Sequence, residues 1–347
     1  MNNPFELTFG LKPNNYIARL KQSSEIIDSF EQNTSRVYMI TGVRGTGKTV
    51  MLSHISDHFS DKKDWIVVEI ISESDMLDQL ASRLYDRSLL HKIFDGKTFG
   101  FSFNGLSFSI KGEKPVTNVI SLIEILLEKI NKANKKVLIC VDEAVNNQFM
   151  RPFVQTIQLL FRKKMPIYLL ITGLYQNIFE LQNKESLTFL YRAPKLSLEP
   201  LDLSDISSSY ETELKVDEKE AIELAKLTKG YAFAYQLLGF LMFKQDKKVI
   251  NKKLLDQYDS YLRDYVYDKI WSELSVNDKK VLKSFKADTT ESVEALLNGT
   301  KMEKKSFSVY RDRLIKRGLI YSPSYGRLSI KLPRFFEYIQ NKIVFGE

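Results

Sequence analysis

The sequence predicts an α/β protein: a doubly wound parallel sheet, then a helical segment, then a small C-terminal domain of short helices and a hairpin. Three observations predict it. Between Arg36 and Glu199, short apolar runs alternate with amphipathic stretches, the pattern of a parallel sheet covered by helices on both faces. A glycine-rich turn, Gly42–Thr49, joins the first of these runs to a helical stretch. From Leu203 no convincing strand follows until about Leu319, and the chain then closes on a small β element. At 347 residues the chain is longer than one ordinary domain. The expected division is a core over 1–201, helices over 202–272 and a C-terminal domain over 273–347.

Taken in order, the strand candidates are Val37–Thr41, Trp65–Ile71, Val137–Val141, Ile167–Thr172 and Lys195–Leu198. Each is a run of four or more largely apolar, β-branched or aromatic residues. Helical stretches are expected after Gly47, Asp75, Asn118, Gln148 and Leu174, and Val216–Trp271 reads as helical throughout. Within 97–111, Phe99–Phe103 and Leu106–Ile110 flank Asn104-Gly105, a two-residue hairpin signal. Such a turn pairs Phe103 with Leu106, Phe101 with Phe108 and Phe99 with Ile110, placing all six apolar residues on one face. The hairpin either caps the domain's own core or presents that face to a partner.

Hydrophobic residues make up 44% and charged residues 27%, a folded globular balance that excludes extended disorder. One cysteine and three histidines exclude a disulfide framework and a Cys- or His-built metal site, and Cys140 reads as core. There is no run of about 18 apolar residues, and the N-terminus lacks the basic-then-apolar order of a secretion signal. A cytoplasmic protein with no membrane partner is therefore expected. The net charge is +8, and ten basic against two acidic residues between Lys301 and Arg334 carry a surplus of the same size. An anionic partner is thus expected at the C-terminal segment.

The sharpest motif is Gly42-Val43-Arg44-Gly45-Thr46-Gly47-Lys48-Thr49, followed by Val50. This is the G-x-x-x-x-G-K-[ST] phosphate loop between a strand and a helix. Its glycines let successive backbone N–H groups converge on phosphate oxygens, and the helix N-terminus adds partial positive charge. Lys48 would neutralise the outer phosphates of ATP, and Thr49 would ligate Mg²⁺. At the end of the third strand, Asp142 would complete the Mg²⁺ shell and Glu143 would accept a proton from, or orient, the attacking water. The competing reading of the two acids is a helix N-cap. Thr172, ending the neighbouring strand, suits a sensor of the terminal phosphate or water, or a plain strand-end cap. Arg192 suits a cation for the transition state, in cis or from a neighbouring subunit, or a surface salt bridge.

These residues resemble a known family. Asn3-Pro-Phe, Phe9-Gly10 and Pro13, the phosphate loop with Lys48-Thr-Val-Met-Leu, Val141-Asp-Glu, Leu187-Thr-Phe-Leu-Tyr-Arg-Ala and Gly230-Tyr-Ala-Phe-Ala-Tyr-Gln-Leu-Leu-Gly239 look like bacterial AAA-type ATP-binding proteins. These stand close to the archaeal initiator and origin-recognition ATPases and to the STAND signalling ATPases. The resemblance covers residues 3–245. It implies a P-loop NTPase (AAA-like) core, a helical lid, a C-terminal winged helix-turn-helix and homo-oligomers. Departures are Ala18-Arg19 where the family has Gly-Arg, Ala232 in place of the lid proline, no lid arginine around Gly230–Gln236, and Tyr191-Arg192 in place of paired arginines. They predict intact nucleotide binding and slow turnover.

In the C-terminal domain, helices are expected over Asp278–Phe285, Val293–Leu297 and Lys304–Arg317, the last ending at Gly318, followed by two strands joined through Pro323–Gly326. On a helical projection Phe307, Tyr310, Leu314 and Ile315 share one face, with Arg311 placed for an internal contact. Lys305, Ser308, Arg313 and Lys316 point away and would face the major groove of double-stranded DNA, with Arg327 in the wing. Two readings of function follow: an ATP-hydrolysing switch coupled to DNA, or a STAND-like assembly ATPase whose winged helix docks protein.

Overall fold

The computed structural model describes residues 2–8, 10, 12–85, 101–103, 106–108, 118–183, 187–245 and 249–346. Its chain divides into two compact units. One comprises Leu20–Thr41 and Met51–Ser197; the other comprises Met1–Arg19, Gly42–Val50 and Leu198–Glu347.

The first unit holds the expected sheet. Its strands are β1 (Val37–Thr41), β2 (Trp65–Ile71), β5 (Lys136–Asp142), β6 (Ile167–Gly173) and β7 (Lys195–Ser197), all parallel in the order β2-β5-β6-β1-β7. Between them run α1 (Leu20–Glu31), α2 (Lys48–Ser60), α3 (Met76–Tyr85), α4 (Val119–Lys132), α5 (Met150–Arg162), α6 (Tyr175–Gln182) and the short α7 (Thr188–Tyr191). Alternation along the strands sorts the two faces. Val37 and Met39 of β1, Ile66 and Val68 of β2 and Leu169 of β6 pack with Leu80, Leu126, Phe153 and Ile178 of α3–α6. The intervening residues face an aromatic layer: Tyr38 meets Phe30, Trp65 meets Phe59 and Tyr168 meets both Phe30 and Trp65. Both faces are covered, so the central strands are apolar along their length.

Of the hairpin expected over 97–111, β3 (Phe101–Phe103) and β4 (Leu106–Phe108) pair antiparallel with Phe101 opposite Phe108 and Phe103 opposite Leu106. The expected Asn104-Gly105 turn and the Phe99–Ile110 pair lie outside the described residues.

The second unit carries the helices α8 (Leu203–Leu214), α9 (Glu218–Thr228), α10 (Ala232–Phe243) and α11 (Lys252–Leu262). A π-helical turn, Arg263–Tyr267, leads from α11 into α12 (Asp268–Ser272). There follow α13 (Val276–Lys283), β8 (Glu291–Ser292), α14 (Val293–Thr300), α15 (Lys304–Lys316), β9 (Ile320–Tyr321), β10 (Arg327–Ile330) and α16 (Phe335–Val344). The three short strands form an antiparallel sheet in the order β8-β10-β9. Helix α10 is buried nearly all round, as its apolar sequence requires. Asp202, Asp217, Asn251 and Ser275 cap α8, α9, α11 and α13 by accepting backbone N–H bonds, and Ser275 with Asp278 makes a reciprocal capping box.

The expected boundary at 272/273 does not separate two cores. One apolar cluster runs from Phe5 and Val43 through α8–α12 to Phe307, Leu328 and Phe335. Contacts cross the expected linker. The Tyr267 ring sits 4.9 Å from Phe335, its hydroxyl donates to the Pro333 carbonyl, and Arg334 grips both carboxylate oxygens of Asp259. In this unit two elements escaped the sequence reading, as α1 and α7 did in the first. Strand β8 is only two residues long, too short for periodicity, and α16 starts behind the Pro333 break at Arg334, whose φ is 56°. Among the described residues no helix is long and apolar enough to cross a membrane.

Candidate functional site

In the sheet unit, strand register gathers the expected acids. Val141 pairs with Ile171 and Ile40 with Thr172, so Asp142, Thr172 and the C-terminal end of β1 share one edge of the sheet. In open α/β sheets that edge is where ligands bind. Asp142 Oδ1 accepts from the Thr172 hydroxyl in a short bond and from the Glu143 backbone N–H at 3.0 Å. Glu143 N–H also reaches Thr172 Oγ1 at 3.3 Å, and the Glu143 carbonyl accepts from Ser72 Oγ at 3.2 Å.

Glu143 itself has φ 49°, a left-handed conformation that costs a non-glycine residue about 1–2 kcal/mol. Hydrogen bonds from its backbone to Asp142, Thr172 and Ser72 hold it there, and the residue is exposed. The N-cap alternative for the two acids does not hold, because the next helix begins only at Met150. Thr172 is fully buried, and its hydroxyl donates to Asp142, so it orients that carboxylate. Arg192 caps the C-terminus of α7, exposed, with no ion pair among the described residues. Cys140 is buried within β5, as expected, and burial pushes its thiol pKa up.

The phosphate loop lies in the second unit and begins at the residue after β1. Gly45 and Gly47 have φ values of 75° and 89°, the region glycine alone visits freely. Lys48 is largely buried, and its Nζ donates to the Gly42 and Val43 carbonyls at 3.1 and 3.0 Å. Thr46 Oγ1 donates to the Val43 carbonyl at 2.8 Å, tightening the turn.

The start of α10 is fastened to this loop. The Tyr231 hydroxyl donates to the Arg44 carbonyl, and Phe233 N–H donates to the Gly45 carbonyl at 3.0 Å. A Cβ on Gly45 would lie 2.2 Å from the Tyr231 oxygen, so glycine is required there twice over. Gly45→Ala is therefore expected to abolish nucleotide binding in a calorimetric titration. It is also expected to lower stability by about 1–3 kcal/mol, the size of one strained backbone position; an alanine protein that binds and melts like the parent would refute the fit.

Alongside Gly47 runs Arg19. Its Nε donates to the Glu199 carbonyl at 3.0 Å, and its Nη1 lies 3.3 Å from the position a Gly47 Cβ would take. Burial lowers its pKa to about 10, with Glu199 opposing. Arg19, Tyr231 and Phe233 are site residues that the motif alone does not give. The signals for them are the family resemblance around Arg19 and Gly230–Gly239 and the room that Gly45 and Gly47 leave for something to pack close.

A bound metal would need hard oxygen donors. The Asp142 carboxylate and the Thr49 hydroxyl are of that chemistry, and among the described residues there is no cluster of three or more acids, histidines or cysteines. Each is the kind of hard oxygen donor that Mg²⁺ takes alongside phosphate oxygens.

In the C-terminal segment the buried face of α15 is as expected: Phe307 and Leu314 are buried, with Tyr310 and Ile315 packed beside them. Arg313 is a correction. It turns inward, bonding both oxygens of the buried Asp278 at 2.9 and 2.6 Å and Ser275 Oγ at 2.7 Å, because an unpaired carboxylate there would be costly. Arg311, expected to make an internal contact, pairs only with its neighbour Asp312 on the surface. Arg317 and Arg334 are tied to Glu273 and to Asp259 and Glu337. Burial lowers the Lys331 pKa. Ser308 donates to the Lys304 carbonyl. Lys301, Lys304, Lys305, Lys316 and Arg327 remain exposed, with no ion pair among the described residues.

Comparison with known proteins places the fold. A family model described as the N-terminal region of nephrocystin 3 matches residues 18–173, and one for a domain of unknown function, DUF8462, matches residues 264–339. No curated protein matches the sequence. Among solved structures, the Walker-type ATPase of Pyrococcus abyssi superposes with a TM-score of 0.66 at 14% identity, over 94% of this chain and 96% of that one. The ORC2 protein of Aeropyrum pernix, solved in ADPNP–ADP complexes, gives 0.59 at 12% identity over 98% and 97%. Cdc6p from Pyrobaculum aerophilum gives 0.50 at 15% identity over 98% and 97%. The chain has the P-loop α/β fold of these proteins, along nearly its whole length.

Proposed function

We propose that the protein is an ATP-binding, Mg²⁺-dependent ATPase that works as a molecular switch. The observation that carries this reading is the trio Asp142–Glu143–Thr172. One carboxylate is oriented by two donors, and a second is presented to solvent from a strained backbone position. On this reading the loop amides and Lys48 bind the phosphates, and Thr49 and Asp142 are each proposed as metal ligands. Bound Mg²⁺ would neutralise charge on the outer phosphates. Glu143 takes the proton of the attacking water, and Arg192 supplies positive charge at the transition state from a neighbouring subunit. Phosphate release from ATP with Mg²⁺, and its loss with a chelator, tests the assignment; a protein that neither binds nor hydrolyses ATP would defeat it.

The C-terminal segment, read as a winged helix, is proposed to contact double-stranded DNA. Five exposed cations on α14–α15 and the β9–β10 turn support this, while the other half of the basic surplus is consumed by ion pairs or buried. Neutralising Lys304, Lys305 and Arg327 together is expected to leave the fold intact and reduce the salt slope of DNA binding by roughly 2–3 units, at about 0.9 counterions per contact. The alternative, a STAND-like assembly ATPase docking protein through the same segment, is favoured by the fully exposed Tyr325 at the turn and the exposed Val309 on α15. A parent protein with no DNA affinity at low salt would select it.

A further inference from the structure

Glu273, between α12 and α13, is the hub of a charge cluster that touches the phosphate loop. Its Oε1 accepts from Arg44 Nη2 at 3.1 Å, and Lys269 Nζ lies 3.7 Å from the same oxygen. Arg317 Nη2 lies 3.9 Å from Oε2, while Arg317 Nη1 donates to the Glu273 carbonyl at 3.3 Å. Three cations thus share one carboxylate. Asp278, a further acid that acts on Arg317, is already committed to Arg313. Burial of Arg317 lowers its pKa, which marks the cluster as poorly solvated as well as over-charged.

Arg44 is the most poorly satisfied member. Its Nη2 has Glu273, but its Nε is buried without a hydrogen-bond partner. One carboxylate oxygen satisfies one edge of a guanidinium fork, whereas a phosphate can take two donors at once. Arg44 also belongs to the loop whose backbone would cradle phosphates. The loop meets α15 a second time through Val43, whose Cγ2 lies 3.0 Å from the position of a Gly318 Cβ, just past the end of that helix.

We propose that Arg44 exchanges partners with the terminal phosphate of a nucleoside triphosphate. The triphosphate draws the guanidinium off Glu273, and the released carboxylate passes to Arg317 and Lys269. Occupancy of the loop by a triphosphate, and not by a diphosphate, is thereby reported at the C-terminal end of α15, the helix that carries Lys304, Lys305 and Lys316. Arg44 contacts the nucleotide itself in this account, and the account rests on the nucleotide-binding reading above.

The test compares the parent with Glu273→Gln, Arg44→Ala and Arg44→Lys. Calorimetry gives their affinities for a non-hydrolysable ATP analogue and for ADP, both with Mg²⁺, and amide hydrogen exchange reports on residues 313–319. Removing the competing carboxylate in Glu273→Gln should raise affinity for the analogue relative to ADP about tenfold, the worth of one charged hydrogen bond. Arg44→Ala should lose the parent's preference for the analogue, and Arg44→Lys should restore part of it. In the parent the analogue, but not ADP, should alter exchange over 313–319, and in Glu273→Gln that response should vanish. An unchanged analogue-to-ADP ratio in Glu273→Gln, or in both Arg44 variants should Glu273→Gln fail to fold, overturns the exchange while leaving nucleotide binding standing. A parent that binds neither nucleotide overturns both.

Discussion

Lys48→Ala should weaken ATP binding about 100-fold, the loss expected when a charged hydrogen-bonding group worth some 3 kcal/mol is removed. The expectation follows from where the ammonium sits. It is largely buried, and it already bridges the Gly42 and Val43 carbonyls at the mouth of the loop. A phosphate arriving there meets a cation that is held in place and poorly hydrated, so little reorganisation is needed. The variant also removes one donor from each of those two carbonyls, although Val43 keeps Thr46, and some loss of thermal stability should accompany the loss of affinity. Calorimetric titration with Mg²⁺-ATP measures the first and a thermal melt the second. Equal affinity in parent and variant would show that the loop is not a phosphate site.

Glu143→Gln should leave that affinity intact and lower turnover about 10²–10⁴-fold, the usual contribution of a general base. The separation of the two effects rests on the backbone. The contacts that hold Asp142 come from Glu143 N–H and the Thr172 hydroxyl, and neither involves the Glu143 side chain. An amide there keeps the loop conformation and the expected metal ligand while removing the proton acceptor. Single-turnover phosphate release, beside binding of the same ATP, reads the two separately. Hydrolysis at the parent rate would reduce Glu143 to a residue that merely shapes the strand end.

The architecture of the sheet unit was legible because its signals are local. Trp65–Ile71 and Val37–Thr41 are continuous apolar runs with β-branched or aromatic residues, and both strands fall where the sequence places them. The phosphate loop was equally legible, since glycines, lysine and threonine at fixed spacing state a backbone path and a charge in eight residues. The second unit was read less well. A boundary at 272/273 has no local sequence mark to rest on, and Tyr267, Phe335 and Arg334 pack across that point. Arg313 and Arg311 exchanged roles because a projection ranks residues by angle and cannot know that Asp278 is buried beside one of them. Thr172 went to Asp142 because strand register, which the sequence does not state, sets the two side by side.

By itself, then, the sequence determined the fold class, the strands and the chemistry available at their ends, because hydrophobic period and glycine placement act over a few neighbouring residues. Only the tertiary structure decided which charges are spent and which are exposed. It consumed Arg313, Arg317 and Arg334 in ion pairs, left Lys304, Lys305 and Arg327 in solvent, and joined Arg44 of the phosphate loop to Glu273. Arg313 and Asp278 lie 35 positions apart and Arg44 and Glu273 lie 229 apart, and the pairing of such charges depends on distance in space and burial, which no local pattern encodes.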